Sequence, residues 1–358
     1  MIIVCDIWAK KLAHYEFNKN ILKIINKIFK KEIYYFGDKE QSSVMSTELN
    51  FNLINLKKIN IIEGNRMKVL LNNIFNLYQI RKLKVNKIII LTSTPIILFL
   101  AKLFFNSKTE IYFFLHGLDI LEQEKKGIYK YLNFFLKFKN RKFKHKYIVL
   151  GENIKENLNV LFPNMKEQIF SVDHPYSFEK KYEYKKINEI LSLGTVGITS
   201  YEKGLDNIFE FIEKNNERHS FKHIGKSSSE IFEKFKKFFP YRDNLLEKEK
   251  FEKEILNLDY ILILYPKDSY KLTASGIYFD CIKYNKPLLG LKNQYFEYMF
   301  RKYGEIGKLF ESIDEIIEYL AQKKEVLILE HDNFYRNMEN IKKVLNKKIE
   351  RELEKIVC

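Results

Sequence analysis

Short apolar runs and amphipathic segments alternate along the first half of the chain. Residues 2–5, 33–36, 59–62, 87–91, 110–115 and 147–150 have the length and the β-branched or aromatic content of buried strands. Between them, residues 19–29, 66–83, 96–105, 128–138 and 153–162 carry apolar side chains at helical spacing, and a further strand is expected at 168–172. Strands alternating with helices predict an α/β fold with a mainly parallel sheet covered on both faces.

The motif Asp173-His174-Pro175-Tyr176 and the polar residues after it read as a linker over 175–188. The pattern then restarts: strands at 189–193, 221–224 and 260–264, helices at 204–214, 228–238 and 250–257. Helical segments follow at 295–303 and 313–322, then a long charged helix over 334–357. The reading is two Rossmann-like domains, 1–174 and 189–328, with a C-terminal helix over 329–358.

Residues 258–290 organise the second domain. An apolar strand bounded by Asp259 and Pro266 leads through a polar loop to Ser275-Gly276, a helical pattern that stops before Pro287, and another apolar run ending at Gly290. This is a βαβ unit whose loop lies at the carboxyl end of a strand, where open α/β sheets bind ligands. Ser275 and Gly276 stand at a helix start, which offers unpaired N–H groups and the positive end of the dipole to an anion. Asp280, one turn on, would meet hydroxyl groups beside it. The plainer reading is an N-cap serine and an aspartate that offsets the dipole. A second piece is Gly194, followed by Lys203-Gly204 at the next helix start. Lysine there is unfavourable to the dipole unless it faces a phosphate; otherwise it is one solvated lysine among many.

Gly194, Lys203-Gly204, Asp259, Ser275-Gly276, Asp280 and Pro287 together resemble the C-terminal half of GT-B glycosyltransferases, of the family-4-like type that builds bacterial surface polysaccharide. The resemblance covers roughly 189–322, and the N-terminal half only in its α/β rhythm. It implies Gly194 at the donor, Lys203 on the diphosphate, Ser275 and Gly276 at the phosphate, and Asp280 on the ribose hydroxyls. It also implies a cleft between the domains and a last helix that returns to the N-terminal domain. One departure stands out: Leu272 occupies the first position of the paired-acid pattern of retaining members, and the second acid is Asp280 rather than glutamate. The stereochemical outcome therefore stays open.

In the N-terminal half, the strand at 110–115 ends in His116, a candidate general base because imidazole titrates near neutral pH. Its plain alternative is a histidine satisfied in a turn. Asp6, ending the first strand, is the alternative base or an acceptor-orienting group, or simply an Asx turn. His14 is placed on the acceptor side by position alone. His174 is either structural or ligand-binding.

The chain has 358 residues, a net charge of +16 and 46% hydrophobic residues, which suits packed cores and anionic partners. Three scattered cysteines suggest neither a disulfide framework nor a zinc site, and fit the cytoplasm. The N-terminus reads as a strand, not a signal peptide. Lys125 to Lys146 form a basic run interleaved with aromatics and free of acids; Lys137, Lys139, Arg141, Lys142 and Lys144 are its densest part. It suits an anionic lipid surface, nucleic acid, or a solvated helix over an aromatic core. Dinucleotide, P-loop and nucleophile-elbow motifs are missing, as are Asp-x-Asp and metal-ligand spacings.

These features predict a metal-independent glycosyltransferase with no cofactor, which moves a sugar from a nucleotide diphosphate sugar to a hydroxyl of a glycan acceptor. The acceptor is expected on a lipid, the enzyme peripheral on the inner membrane, and no nucleic acid is expected as partner. The alternative is a non-catalytic basic protein that binds membrane or RNA through 125–146.

Overall fold

The computed structural model describes residues 1–11, 13–48, 54–62, 64–105, 108–118, 145–244 and 246–358. They form two compact units. One comprises Met1–Ser177, Leu272–Ala274 and Asn346–Cys358; the other comprises Phe178–Lys271 and Ser275–Leu345.

The first unit runs β1 (Ile2–Cys5), α1 (Tyr15–Phe29), β2 (Ile33–Asp38), α2 (Lys39–Glu48), β3 (Ile54–Ile59), α3 (Arg66–Arg81), β4 (Lys87–Ile90), α4 (Pro95–Phe104), β5 (Glu110–Leu115), β6 (His145–Val149), α5 (Glu152–Leu161) and β7 (Ile169–Ser171). Its sheet has the order β3-β2-β1-β4-β5-β6-β7, and every pair is parallel. The central strands β1, β4 and β5 are apolar beyond the Lys87 and Glu110 that begin β4 and β5, because both faces are covered. On one face, α3 and α4 set Leu77, Ile80, Ile97 and Leu98 against Ile3, Ile88, Ile90 and Phe113. The strand order reverses between β1 and β4, so the loops leaving their carboxyl ends diverge and open a crevice.

The second unit continues with β8 (Ser192–Val196), α6 (Leu205–Asn215), β9 (Ser220–Ile224), α7 (Lys248–Leu256), β10 (Tyr260–Ile263), α8 (Ile277–Tyr284), β11 (Leu288–Leu291), α9 (Gln294–Tyr303), β12 (Gly307–Phe310), α10 (Ile313–Leu320) and α11 (Lys324–Val357). This sheet is also parallel, ordered β12-β11-β10-β8-β9, and its reversal lies between β8 and β10. The end of α11 counts with the first unit. There Lys146 Nζ donates to the Ile356 carbonyl at 2.8 Å and Lys87 Nζ to that of Val357, cations where the helix dipole is negative.

Several elements differ from the sequence reading. The third strand is Ile54–Ile59 rather than 59–62; it lies at the sheet edge, where alternating exposure lets Asn55 and Lys57 sit in an otherwise apolar strand. Helix α2 and strand β12 were not anticipated, and α11 begins ten residues earlier than the charged pattern suggested. The helix expected over 228–238 is a short 3-10 helix at Glu233–Phe238. Ser227 and Ser228 hydroxyls donate instead to the carbonyls of Ser229 and Thr199, which competes with helix formation. Among the described residues, no helix is long and apolar enough to cross a membrane.

Candidate functional site

In the second unit, the predicted donor residues gather at the β8/β10 reversal, with one exception. Gly194 lies in the middle of β8, paired with Lys222 and Ile261. A Cβ there would sit 2.8 Å from the Lys222 carbonyl oxygen and 2.9 Å from the Leu258 side chain. Gly194 is thus a packing glycine, which corrects the expectation that it touches the donor. The glycine at the strand end is Gly197, with φ +99° and nothing within 4 Å of an added Cβ. Its signal was present, since a second glycine follows Gly194 by three residues.

Lys203 does not open a helix. It ends a 3-10 turn, Tyr201–Lys203, and Gly204 at φ +80° caps α6. Gly204 is pressed against the carboxyl end of β10: a Cβ would lie 2.1 Å from the Leu264 carbonyl oxygen, which also accepts from Asn207 Nδ2 at 2.8 Å. Thr195, Thr199, Lys203, His223 and Tyr265 border a cavity of about 20 Å³, room for one water.

Tyr265 links this turn to the other helix start. Its ring stacks on Tyr270 at 4.6 Å, and its hydroxyl meets Tyr270 and Ser275. Burial pushes the phenol up, and the nearby Asp280 adds to this. Tyr270 holds φ +59°, a conformation in which a bulky residue stores strain. Ser275 is buried, and its carbonyl accepts from Tyr295 Oη at 3.3 Å. Gly276 caps α8 with φ −70°, and nothing lies within 4 Å of where its Cβ would be. The structure thus brings Lys203, Gly204, Ser275, Gly276 and Asp280 to one end of one sheet. Leu272 points elsewhere: it is 2% exposed in the core of the first unit, and Thr273 bridges Gly117. A leucine at the first acid position follows from that burial.

In the first unit, Asp6, Thr92 and His116 leave the carboxyl ends of the neighbouring strands β1, β4 and β5. Asp6 is wholly buried. Its Oδ1 accepts from the Trp8 and Ala9 amides at 3.1 and 2.9 Å, and its Oδ2 from Asn18 Nδ2 and Thr92 Oγ1 at 2.8 and 2.9 Å. A carboxylate so enclosed does not reach an acceptor, which corrects its assignment as an alternative base. Its influence passes through Thr92, whose Oγ1 also contacts His14 Nδ1 at 3.0 Å. Thr92 has one hydroxyl proton and gives it to Asp6, so the His14 contact requires Nδ1–H as donor and leaves the lone pair on Nε2.

His14 is exposed and caps α1 at φ +58°. Its ring stacks on His116 at 4.6 Å, and Phe17 meets His116 edge-on at 4.1 Å. His116 Nε2 is sealed from solvent with no partner among the described residues. Burial, followed by the neighbouring His14 and His174, holds its imidazole well below the usual range. His116, expected to be the base, therefore lies behind His14. His174 is lowered to about 4, mainly by burial, and contacts the Pro175 carbonyl through Nδ1 at 2.9 Å. Nothing in the sequence joined His14 to Asp6 and Thr92, because the contacts that do so span 78 and 86 positions.

Lys137, Lys139, Arg141, Lys142 and Lys144 lie outside the described residues. Among the described residues, no group of three or more His, Cys, Asp or Glu side chains is placed to hold a metal.

No protein-family model matches the chain, and no curated protein matches its sequence. Solved structures do match in fold. A glycosyltransferase from Rickettsia africae ESF-5 is 12% identical with a TM-score of 0.61, over 99% of this chain and 97% of that one. Anabaena HepE, solved in complex with UDP, is 8% identical with a TM-score of 0.64, over 99% of each chain. A UDP-N-acetylglucosamine 2-epimerase is 12% identical with a TM-score of 0.56, over 99% of this chain and 95% of that one. The chain has the GT-B fold.

Proposed function

We propose that this protein is a glycosyltransferase that uses a nucleotide diphosphate sugar. The observation that carries the reading is the link through Leu264 and Tyr265, which puts the Lys203-Gly204 turn and the Ser275-Gly276 helix start at the same sheet end. An anion there meets the Lys203 ammonium and the first N–H groups of α8 together, the combination suited to a departing diphosphate. Asp280 would take the ribose hydroxyls, and Gly197 and Gly276 leave room for close approach. Structural neighbours solved with UDP support this reading. Transfer would need neither metal nor cofactor, because Lys203 and the helix amides offset the developing charge. We place the acceptor among lipid-linked glycans of bacterial surface polysaccharide, with the enzyme peripheral on the cytoplasmic face of the membrane; the +16 charge and the basic run 125–146 support that part.

Titration calorimetry with UDP, GDP and CMP tests the donor site. One nucleotide is expected to bind, and Lys203→Ala or Asp280→Ala to weaken it roughly tenfold, the worth of one charge-assisted contact. Changing Lys137, Lys139, Arg141, Lys142 and Lys144 to Gln should leave it intact. Binding indifferent to both alanine changes would remove the assignment, and release of an epimerised sugar nucleotide instead of a glycoside would make the protein an epimerase.

The base we propose is His14, held by Thr92 and Asp6, with its Nε2 lone pair directed outward. It would take the proton of the acceptor hydroxyl as that oxygen attacks the sugar. His14→Ala is expected to lower kcat roughly a hundredfold, a usual contribution of acid–base catalysis. Thr92→Val, which cuts the relay but keeps the shape, should lower kcat less and leave the KM for donor unchanged. If His116→Ala alone abolishes turnover while His14→Ala keeps it, the roles are reversed.

A further inference from the structure

The first unit carries a helix that is apolar on its outer face as well as on the face that sets Leu77 and Ile80 into the core. On α3, Asn73 and Asn76 are buried while Met67, Leu71 and Phe75 are 61, 58 and 58% exposed, with Tyr78 continuing the stripe. A helix on a water-facing surface keeps its outer face polar. Helix α4 packs beside α3 on the same sheet face, and its Ile96 and Leu103 add 41 and 62% exposed side chains. Apolar area of this extent on two adjacent helices marks a contact surface.

Charge decides what covers it. From Gly64 to Thr109 the chain has eight lysines and arginines and no carboxylate, and Lys68, Arg81, Lys82, Lys84 and Lys108 among them are exposed. A second copy meeting this face with its own would set like charges against each other, since a two-fold contact is self-complementary. An anionic bilayer supplies both an apolar layer for the stripe and negative headgroups for its margin.

We propose that the outer faces of α3 and α4 dock on an anionic lipid surface, with Met67, Leu71, Phe75 and Leu103 entering the headgroup boundary and the flanking cations meeting lipid phosphates. The inference rests on no part of the transferase reading and is distinct from the basic run 125–146.

Flotation of the full-length protein with vesicles tests it, without nucleotide. Binding is expected to phosphatidylglycerol/phosphatidylethanolamine vesicles and not to phosphatidylcholine. The triple change Leu71→Glu, Phe75→Glu, Leu103→Glu should weaken it at least tenfold with an unchanged melting temperature, because these side chains are already in water. Changing Lys68, Arg81, Lys82 and Lys84 to Gln should weaken it as well and flatten its salt dependence. Vesicle binding that survives both sets, or is lost only with the Gln changes at 137–144, overturns the proposal. So does absence of vesicle binding together with a dimer in sedimentation that the triple change dissociates.

Discussion

Gly204→Ala is expected to destabilise the protein by about 4 kcal/mol, whereas Gly276→Ala changes stability by less than about 1 kcal/mol and costs nucleotide affinity instead. The two glycines each cap a helix of the second unit but meet different surroundings. At Gly204 the backbone is left-handed and an added Cβ would sit 2.1 Å from the Leu264 carbonyl oxygen. Strain of about 1–3 kcal/mol for the conformation and a similar term for the clash set the figure. Relief requires β10 or α6 to move, and Lys203 moves with the turn. At Gly276 the backbone is ordinary and the space open, so alanine brings only the small difference in capping and in unfolded-chain entropy. A phosphate approaching the α8 amides would nonetheless meet the methyl group, and affinity should fall tenfold or more. Urea melts and calorimetry on the two variants measure both quantities. A Gly276→Ala protein that binds nucleotide at full strength would show that no ligand approaches the backbone there.

Stability is expected to fall steeply between pH 6.5 and about 4. Burial lowers His145 to about 3 and His223 and His331 to about 4, and all three side chains are almost fully enclosed. Their folded values lie below the ordinary 6.5, so below that pH the unfolded chain binds protons that the folded chain refuses. Their stabilisation is intact above pH 6.5, and it is lost progressively as pH falls toward the folded values. One proton corresponds to about 1.4 kcal/mol per pH unit, and an unfolded histidine is only half protonated at pH 6.5, so three histidines give a loss of roughly 3 kcal/mol between pH 6.5 and 5.5. That is a large share of an ordinary domain's stability. Urea melts at half-unit steps from pH 7.5 to 4.5 should show this slope, reduced by about one proton in His331→Leu. A flat profile across that window would contradict the burial of all three.

The central strands were legible because a strand covered on both faces must be apolar along its buried length, and β1, β4, β5 and β10 are, apart from the Lys87 and Glu110 that begin β4 and β5. The start of α8 at Ser275-Gly276 was legible because a helix start changes local composition, whereas Lys203 ends a 3-10 turn rather than opening the helix expected there. Edge strands escaped notice, as with β3 and β12, since their exposure permits lysine and glycine. Gly194 and Gly197 look alike in a sequence. Only the packing of β9 and Leu258 shows that the first fills a tight space and the second borders an open one. The environment of Asp6 was out of reach for a different reason. Its turn onto the Trp8 and Ala9 amides is the local Asx reading, but Asn18 and Thr92 meet it only in the folded chain, and no local pattern records that Thr92 also contacts His14.

The enclosure of Asp6 has a consequence for how the molecule meets changing salt. Mobile ions screen charges that water reaches, as at Lys203 and along the cationic margin of α3, but not a carboxylate shut inside a sheet end. The proposed attachment and donor capture would therefore be tunable by the surrounding medium, while the aim of the proposed proton acceptor is fixed once, when the chain folds.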